Sequence, residues 1–272
     1  MINPVNFSLD YKKFPKTKPI SMPSGLNIIY GESGSGKTHL IRSLVNLNTF
    51  NNDFFKVVDL NIPETFQIVF QNPENQILSH KLSLELCFGL ESSFNDTILL
   101  QKKIKKIKSN LPFINDWDRH PSTLSGGEME MLNLVTAFSM KPELILIDDG
   151  LSFMNSDIKS TWVKWMKKEI INKKTILWFT SDISDFVYSK SNWVISLSDF
   201  VQVNNIVSNN NYRFSSRKGN MSLKVKNLSF YFDKNTPLIK DWNSNITSAR
   251  SIGLAGKNGI GKTTLSQLLT GV

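Results

Sequence analysis

The feature that most constrains the fold of this chain is a glycine-rich pattern that occurs twice. GESGSGKT spans residues 31–38, and GKNGIGKT spans residues 256–263. Each copy follows a short apolar run typical of a buried strand and precedes a run typical of a helix. Glycines let successive backbone N–H groups turn toward an anion, and the N-terminus of the following helix favours the same negative charge. The pattern therefore predicts two phosphate-binding loops, each between a strand and a helix.

Each loop also supplies side chains suited to a nucleoside triphosphate and a metal ion. Lys37 is placed to reach the β- and γ-phosphates, and Thr38 is placed to offer its hydroxyl to Mg²⁺. The residues predicted to bind ATP in the first loop are Gly31, Ser33, Gly34, Ser35, Gly36, Lys37, Thr38 and His39. Those predicted in the second loop are Gly256, Asn258, Gly259, Gly261, Lys262, Thr263 and Thr264.

An apolar run that ends in two aspartates provides the acidic partner that a phosphate-binding loop needs. ELILIDDG, residues 143–150, predicts a buried strand whose C-terminal edge carries Asp148 and Asp149. A carboxylate at that edge can face a Mg²⁺ ion beside the loop. We expect Asp148 to bind the metal, and Asp149 to lie where a carboxylate would activate the attacking water.

LSGGE, residues 124–128, predicts a second anion-binding device between these two motifs. Ser125 offers a hydroxyl at a helix start, and Gly126 and Gly127 offer unencumbered N–H groups, with Glu128 in the first turn. A single nucleotide does not need two such cradles. The residues alone leave open whether this one is only a helix cap.

The order of the motifs resembles the ATP-binding subunits of ABC transporters. GESGSGKT is followed by VFQNPENQ at residues 69–76, then by LSGGE and LILIDD, and the resemblance covers residues 20–197 and resumes from residue 222. VFQNPENQ, with FGLE at residues 88–91, is similar to the energy-coupling factor and cobalt-uptake branch, whose ATPases drive import of vitamins or metal ions. The resemblance implies an α/β P-loop NTPase fold with a mostly parallel sheet core, an antiparallel β edge and a helical insertion.

The resemblance also implies how such a site works. Two ATPase domains form a head-to-tail dimer with ATP between the P-loop of one and the Ser-Gly-Gly of the other, and hydrolysis lets the dimer open. The implied partners are ATP, a second ABC ATPase domain and integral membrane transporter subunits. The implied Mg²⁺ ligands are Thr38, Gln71 and Asp148, and the implied catalytic residues are Asp149, Gln71 and Ser181. The purine-stacking candidates are Phe232 before the second loop and Tyr11 or Phe14 before the first.

Three positions around the first nucleotide depart from the family pattern. The family has Glu, His and Asp where this chain has Asp149, Ser181 and Asn155. Asp149 is one methylene shorter than Glu, and a displacement of about 1 Å can lower a rate by about 10²-fold. Ser181 can donate one hydrogen bond, but it is short and uncharged. We therefore predict a first site on Lys37 that binds ATP and hydrolyses it slowly, and a competent site on Lys262.

The alternation of apolar runs predicts the domain organisation. Strands are predicted at residues 26–30, 65–70, 144–148, 175–179 and 193–197, and helices after residue 36, at 82–90 and 95–110, after 127, and at 157–172. The predicted segments are a first ATPase domain at 1–202 with a helical insertion at about 75–125, a linker at 203–221, and the start of a second ATPase domain at 222–272. About 50 residues cannot bury an adequate core alone. The second unit is either cut short or packed on the first, and we expect it to be cut short.

Composition narrows the class of function. No apolar run reaches the roughly 18 residues that a membrane-spanning helix needs. A single cysteine, Cys87, excludes an internal disulfide framework and is typical of a reducing compartment. We therefore expect a cytoplasmic ATPase, peripheral on the inner face of the cell membrane, that powers an importer whose membrane subunits are separate chains.

Two other functions stay open. The net charge of +9 fits a soluble ABC protein that acts on the ribosome or on nucleic acid. The NPENQ run and the short linker argue against that function, so we expect no nucleic-acid partner. The changes at Asp149 and Ser181 fit instead a regulatory or decayed module that binds ATP without hydrolysing it.

Overall fold

The chain divides into two compact units, Met1–Ile206 and Val207–Val272. The computed structural model describes residues 4–47, 55–91, 96–111, 114–170, 174–203, 221–233, 236–249, 253–254, 256 and 260–271. The strands are β1 (Val5–Tyr11), β2 (Ile20–Met22), β3 (Gly25–Tyr30), β4 (Phe55–Asn61), β5 (Phe66–Val69), β6 (Leu144–Asp148), β7 (Thr175–Thr180), β8 (Ser191–Ile195), β9 (Phe200–Val203), β10 (Met221–Asp233) and β11 (Thr236–Ala249). The helices are α1 (Lys37–Leu44), α2 (Leu82–Glu91), α3 (Thr97–Asn110), α4 (Gly126–Ser139), α5 (Ser156–Glu169) and α6 (Lys262–Thr270).

Six strands of the first unit form one sheet in the order β5-β6-β7-β3-β8-β9. Neighbouring strands are parallel from β5 to β8, and β9 pairs antiparallel with β8. The shared direction brings the C-terminal ends of β5, β6, β7 and β3 to the same edge. Ligands bind at that edge in open α/β sheets, and the mostly parallel core that the sequence predicts is confirmed.

Both faces of this sheet are buried, which explains why its strands are continuous apolar runs. Ile145 and Ile147 join one core with α4 and α5, whereas Leu144 and Leu146 join another core with α1. Successive residues of a strand point to opposite faces. A strand covered on both sides therefore needs an apolar side chain at every position, and none of these four side chains is exposed.

A second, antiparallel sheet of the first unit has the order β2-β1-β4. Its inward residues, among them Phe7 and Phe55, pack in the same core as α1. This sheet is the antiparallel β part that the resemblance implies. Tyr11, at the end of β1, is only 3% exposed and packs edge-on against Phe55. Its burial excludes Tyr11 as a purine-stacking residue and leaves Phe14, which is exposed, as the candidate of the first unit.

The described residues between 75 and 125 contain α2, α3 and short 3₁₀ helices, and no strand. Asp96 begins α3 by accepting hydrogen bonds from the N–H groups of Ile98 and Leu99. Ile107 on the same helix and Leu111 directly after it are buried in the core that α4 shares. The helical character predicted for this segment is confirmed.

One predicted strand is displaced along the chain. The sequence predicts it at residues 193–197, but β8 ends at Ile195 and begins at Ser191. The polar residues at its start are paired inside the fold. Ser191 donates its hydroxyl to Asn27 Oδ1 at 2.7 Å, and Asn192 donates to two backbone carbonyl groups. A polar strand start carries no apolar signal, so the pattern placed this strand too late.

The second unit contains a β-hairpin and one helix. β10 pairs antiparallel with β11, and α6 follows Gly261. The strand predicted from residue 222 is therefore confirmed as β10. Residues 204–220, which make up most of the predicted linker, and residues 251, 252 and 255 of the apolar run before the second loop lie outside the described residues. In the part of the chain that the structure describes, every helix is too short or too polar to cross a bilayer.

Candidate functional site

The predicted site residues of the first unit follow the strands of one sheet edge. The glycine-rich loop follows β3, Asp148 ends β6, Ser181 follows β7, and Gln71 lies two residues after β5. These four strands are consecutive in the sheet and parallel. Their C-terminal ends therefore carry the four motifs side by side, although the motifs are far apart in the sequence.

The first glycine-rich loop closes on its own lysine. Gly34 and Gly36 have φ angles of 82° and 95°, a left-handed conformation that glycine adopts without steric penalty. Gly36 is the N-cap of α1, and the first N–H groups of a helix have no partner within it. Lys37 Nζ donates to the carbonyl oxygens of Gly31 and Glu32 at 2.7 and 3.2 Å. A phosphate oxygen is a stronger acceptor for this ammonium group than a carbonyl, because it is charged.

Two serines of the same loop differ in their surroundings. Ser33 is exposed, whereas Ser35 is buried and its hydroxyl has no hydrogen-bond partner. The hydroxyl lies against Gly31, where an added Cβ would come within 2.3 Å of it. A side chain at position 31 would therefore displace the loop.

Thr38 and Asp148 form the pair expected to hold a metal ion. Thr38 Oγ1 donates to Asp148 Oδ2 at 2.8 Å. Asp148 is 3% exposed, and its Oδ1 is buried without a hydrogen-bond partner. Burial raises the pKa of Asp148, the Thr38 hydrogen bond opposes this, and the neighbouring Asp149 raises the pKa further. An unpartnered, buried carboxylate oxygen fits a divalent cation, whose charge would favour the ionised form.

Gln71 lies in a loop that other side chains hold in place. Gln76 accepts from the N–H of Phe70 at 2.9 Å and donates to the carbonyl of Ile68 at 2.8 Å. Asn133 of α4 donates to another carbonyl of this loop at 2.9 Å. Gln71 itself is exposed. Its amide oxygen, with the hydroxyl and carboxylate of the preceding pair, makes a set of hard oxygen ligands of the kind that Mg²⁺ takes beside phosphate oxygens.

Asp149 and Ser181 are bound to each other. The N–H of Ser181 donates to Asp149 Oδ1 at 2.7 Å, and the Ser181 hydroxyl donates to Oδ2 at 2.8 Å. Lys37 Nζ lies 3.9 Å from the same Oδ2. Asp149 has a φ angle of 48°, and non-glycine residues in this left-handed region are found disproportionately at functional sites. Asp149 and Ser181, which are shorter than the family's glutamate and histidine, therefore still form hydrogen bonds with each other.

A cavity of about 350 Å³ adjoins this pair and is lined by Gln71, Asp149, Gly150, Ser152, Lys159, Thr180, Ser181, Asp182 and Asp185. Lys159 Nζ donates to Asp185 Oδ1 at 2.8 Å, and Thr180 Oγ1 donates to Asp185 Oδ2 at 2.6 Å. Burial raises the pKa of Asp185, and both hydrogen bonds lower it. Because Thr180 directly precedes Ser181, this network fixes the backbone at Ser181.

The LSGGE segment begins α4 with a capping box. Glu128 Oε2 accepts from the N–H and the hydroxyl of Ser125 at 2.7 and 2.9 Å, and the Glu128 N–H donates to Ser125 Oγ at 3.4 Å. Gly126 and Gly127 form the first turn, whose N–H groups have no intrahelical partner. The segment is therefore a helix cap that also leaves donors for an anion.

Two of the predicted residues make contacts inside their own domain. His39 Nε2 lies 3.1 Å from Ser43 Oγ, and the ring packs edge-on against Phe55. A role for His39 in binding ATP would rest on its backbone N–H. Asn155 Oδ1 accepts from the N–H of Ile158 at 2.9 Å and caps α5. Asparagine and aspartate cap helices about equally well, so the lost charge leaves this helix start intact.

The described ends of the second glycine-rich loop, Gly256 and the residues from Ile260 onward, match features of the first loop. Gly261 has a φ angle of 94° and is the N-cap of α6, which contains Thr264. Lys262 Nζ donates to the carbonyl oxygen of Gly256 at 2.8 Å, the counterpart of the lysine contact in the first loop. Outside the described residues lie Asn258 and Gly259, together with the side chains of Thr263 and Phe232.

Sequence reasoning missed the residues that hold the motifs in place. Gln76 lies within VFQNPENQ, and its length is what lets it bind the backbone on both sides of the loop. Lys159 and Asp185 carried no signal, because a lysine on an amphipathic helix and an aspartate after a turn are usually solvated. Tertiary contacts enclose this pair: the Lys159 and Asp185 side chains are 12% and 3% exposed.

Comparison with known proteins agrees with this geometry. Residues 22–152 match the family model described as ABC transporter. The chain is 26% identical over 314 residues to a Bacillus thuringiensis protein described as an ABC transporter ATP-binding protein, with 90% of this chain and 56% of the relative covered. It is 29% identical over 261 residues to the energy-coupling factor transporter ATP-binding protein EcfA1 of Fusobacterium nucleatum, with 83% of this chain and 97% of the relative covered.

The fold is also found in a solved structure. CbiO1 from Clostridium perfringens, described as part of the ABC transporter complex cbiONQ, superposes with a TM-score of 0.59 at 20% identity, over 75% of this chain and 88% of that one. The chain spans about half the length of the Bacillus relatives it matches. The family match over residues 22–152, the shared fold and the four motifs at one sheet edge agree: this chain is similar to the ATP-binding proteins of ABC transporters, among them those of the energy-coupling factor type.

Proposed function

We propose that this chain is the ATP-binding and ATP-hydrolysing subunit of an ABC importer of the energy-coupling factor type. Mg-ATP binds on the first glycine-rich loop and closes an interface with a second ATPase domain. Integral membrane subunits, which are separate chains, hold the protein at the inner face of the membrane and select a vitamin or a metal ion. The observation that carries the proposal is the single sheet edge at which Lys37, the Thr38–Asp148 pair and the Asp149–Ser181 pair meet.

The residues at this edge divide the chemistry among them. Lys37 exchanges its carbonyl acceptors for phosphate oxygens, which bind it more strongly because they are charged. Thr38 and Asp148 would hold Mg²⁺, which supplies neutralisation of the charge on the phosphates. Gln71 and Asp149 line the cavity in which the attacking water would be oriented.

In this proposal the first site hydrolyses ATP slowly. Both carboxylate oxygens of Asp149 accept hydrogen bonds from Ser181. Turning either oxygen toward an attacking water would therefore break one of these hydrogen bonds. Because general-base assistance contributes about 10²–10⁴-fold to a rate, a base that is held in this way leaves binding intact and limits turnover.

Equilibrium binding of Mg-ATP tests the proposal, in a Lys262→Ala background so that only the first loop contributes. Lys37→Ala removes charge-assisted hydrogen bonds worth about 1.5–3 kcal/mol, so the affinity should fall about 10- to 100-fold. Asp148→Asn should make the affinity the same in Mg²⁺ and in EDTA. Lys18→Ala, at an exposed lysine outside the site, is the control. Unchanged affinity in both site variants would contradict the proposal.

A groove beside the Gln71 loop supports a membrane-subunit partner. Its volume is about 450 Å³, and its lining residues are Glu74, Ile77, Leu78, Ser79, His80, His120, Pro121, Ser122 and Met129. The lining residues between 74 and 80 follow Gln71 along the chain, and those at 120–122 precede Ser125. Leu78 is 69% exposed at this groove. A helix of a membrane subunit seated there, apolar face inward, would contact the two segments that respond to ATP.

The second candidate is a regulatory module that binds ATP and does not hydrolyse it. The contact that favours it is the same Asp149–Ser181 pair, with serine where the family has histidine. The rate of ATP hydrolysis distinguishes the two functions. ATP that stays intact on the chain when the second ATPase domain and membrane subunits are both present favours the regulatory module.

A further inference from the structure

Glu130 is a buried carboxyl group that the proposed reaction does not use. It lies on α4, five residues after Ser125, and is only 1% exposed. Its Oε1 accepts from the N–H of Phe153 at 3.3 Å and from the hydroxyl of Ser152 at 3.4 Å. Its Oε2 is buried without a hydrogen-bond partner. Burying a carboxyl group without a full set of hydrogen bonds is unfavourable, so we expect Glu130 to have a structural role that offsets this cost.

Glu130 contacts the segment that links Asp149 to α5. We call this segment, residues 151–155, the strap. The strap begins two residues after Asp149 and ends at Asn155, the cap of α5. Ser152 of the strap lines the cavity beside Asp149.

The strap also contacts the start of α4 directly. A Cβ at Gly126 would lie 3.1 Å from Cδ1 of Phe153, so the ring rests against Gly126 of the LSGGE segment. At the other end of the strap, Leu151 is fully buried with a φ angle of 84°, a rare conformation for a bulky residue. Such a backbone persists only where its surroundings fix it.

We propose that Glu130 is a positioning residue that ties the strap to α4, so that the N–H donors at Gly126 and Gly127 and the carboxylate of Asp149 move as one unit. The inference rests on the proposed function, because only a dimer that binds nucleotides between its domains uses both groups. In that dimer the donors at Gly126 and Gly127 would bind the opposite nucleotide. Glu130 would then transmit the state of one nucleotide site to the other.

The charge state of Glu130 sets the strength of the link. Burial raises the pKa of Glu130 to about 7, while hydrogen bonds from the strap lower it. The strap itself carries no titratable side chain. α4 and the described elements packed against it carry other charged residues, and none of these is among the main causes of the raised Glu130 pKa. They are Glu128, Glu74, Glu85, Glu91, Lys102, Lys103, Lys105, Lys106 and Lys108. An ionised carboxylate accepts hydrogen bonds more strongly than a neutral one, so the link tightens as pH rises through about 7.

Hydrogen–deuterium exchange of the strap in the full chain, corrected for intrinsic exchange rates, tests the link without relying on activity. In the wild type, protection of the strap should fall several-fold from pH 8 to pH 6. In Glu130→Gln, which keeps the shape and cannot ionise, protection should change less than twofold. Glu130→Ala should lose protection at both pH values. Glu143→Gln removes an exposed carboxyl group and should behave as the wild type.

Hydrolysis of Mg-ATP gives the second readout. The wild-type kcat should rise through pH 7 with little change in KM, and Glu130→Gln should lack this rise. Equal pH dependence of strap protection in the wild type and Glu130→Gln, or full protection in Glu130→Ala, overturns the inference. Absence of Mg-ATP binding and hydrolysis in the wild type refutes the proposed function instead, and the exchange data still decide whether Glu130 holds the strap.

Discussion

At the scale of single residues, the site depends on short contacts between segments that are distant in sequence. Asp149 receives both donors of Ser181, and Asp148 receives the hydroxyl of Thr38. The sequence indicated these four residues as site candidates because each belongs to a motif with fixed spacing, and their roles in the site stay a prediction. It could not predict Glu130, because a glutamate on a helix is usually solvated and only tertiary packing buries this one.

The buried Glu130 gives a pH dependence of stability with a definite sign. Its pKa is raised from 4.5 to about 7 in the folded chain, so the native state holds its proton longer than the unfolded chain. Its contribution to the free energy of unfolding is fully present below about pH 4.5 and is lost as pH rises toward 7. At about 1.4 kcal/mol per pKa unit, the loss is on the order of 3 kcal/mol.

Urea unfolding of the wild type and Glu130→Gln at pH 5 and pH 8 measures this contribution. The glutamine variant should gain stability relative to the wild type between these two pH values, because it never carries the buried charge. Differences between the two proteins cancel the other titrating groups. Parallel stability curves across this range would show that the Glu130 pKa is the same in the folded and unfolded chain.

At the scale of elements, the sequence predicted the strands of the sheet interior well and its margins poorly. β3, β6 and β7 are buried on both faces, so they appear as unbroken apolar runs. β1, β2, β4 and β9 alternate or are short, and β8 starts with the polar pair Ser191 and Asn192. Such segments become strands through the partners they find, and a single sequence does not reveal those partners.

The cap of α5 tests whether the change at Asn155 is structurally neutral. Asn155→Ala removes the acceptor for the Ile158 N–H and should lower the free energy of unfolding by about 1 kcal/mol. Asn155→Asp restores the family residue and should leave stability within about 0.5 kcal/mol, because aspartate caps equally well. Chemical denaturation measures both. Equal loss in the two variants would show that the amide group has another role.

At the scale of the whole molecule, the proposed nucleotide edge and the proposed partner groove lie in the same unit, Met1–Ile206. Leu78→Glu places a charge in the groove and should lower co-purification with integral membrane subunits at least about tenfold, since burying an unpaired charge is strongly unfavourable. Mg-ATP binding should be unchanged. Ile98→Glu, at an exposed apolar residue of α3 outside the groove lining, is the matched control. Equal co-purification of the two variants would exclude the groove as the docking site.

The central claim is that the edge formed by Lys37, Asp148 and Asp149 is a Mg-ATP site limited by its catalytic carboxylate. Single-turnover hydrolysis of radiolabelled ATP, with the protein in excess, tests it most directly. The wild type should capture ATP only with Mg²⁺ and convert it slowly, and Asp149→Glu should speed conversion up to about 10²-fold. Asp157→Glu, at an exposed aspartate, should not. Capture without Mg²⁺, no capture, or equal rates in the wild type and Asp149→Glu would contradict the account.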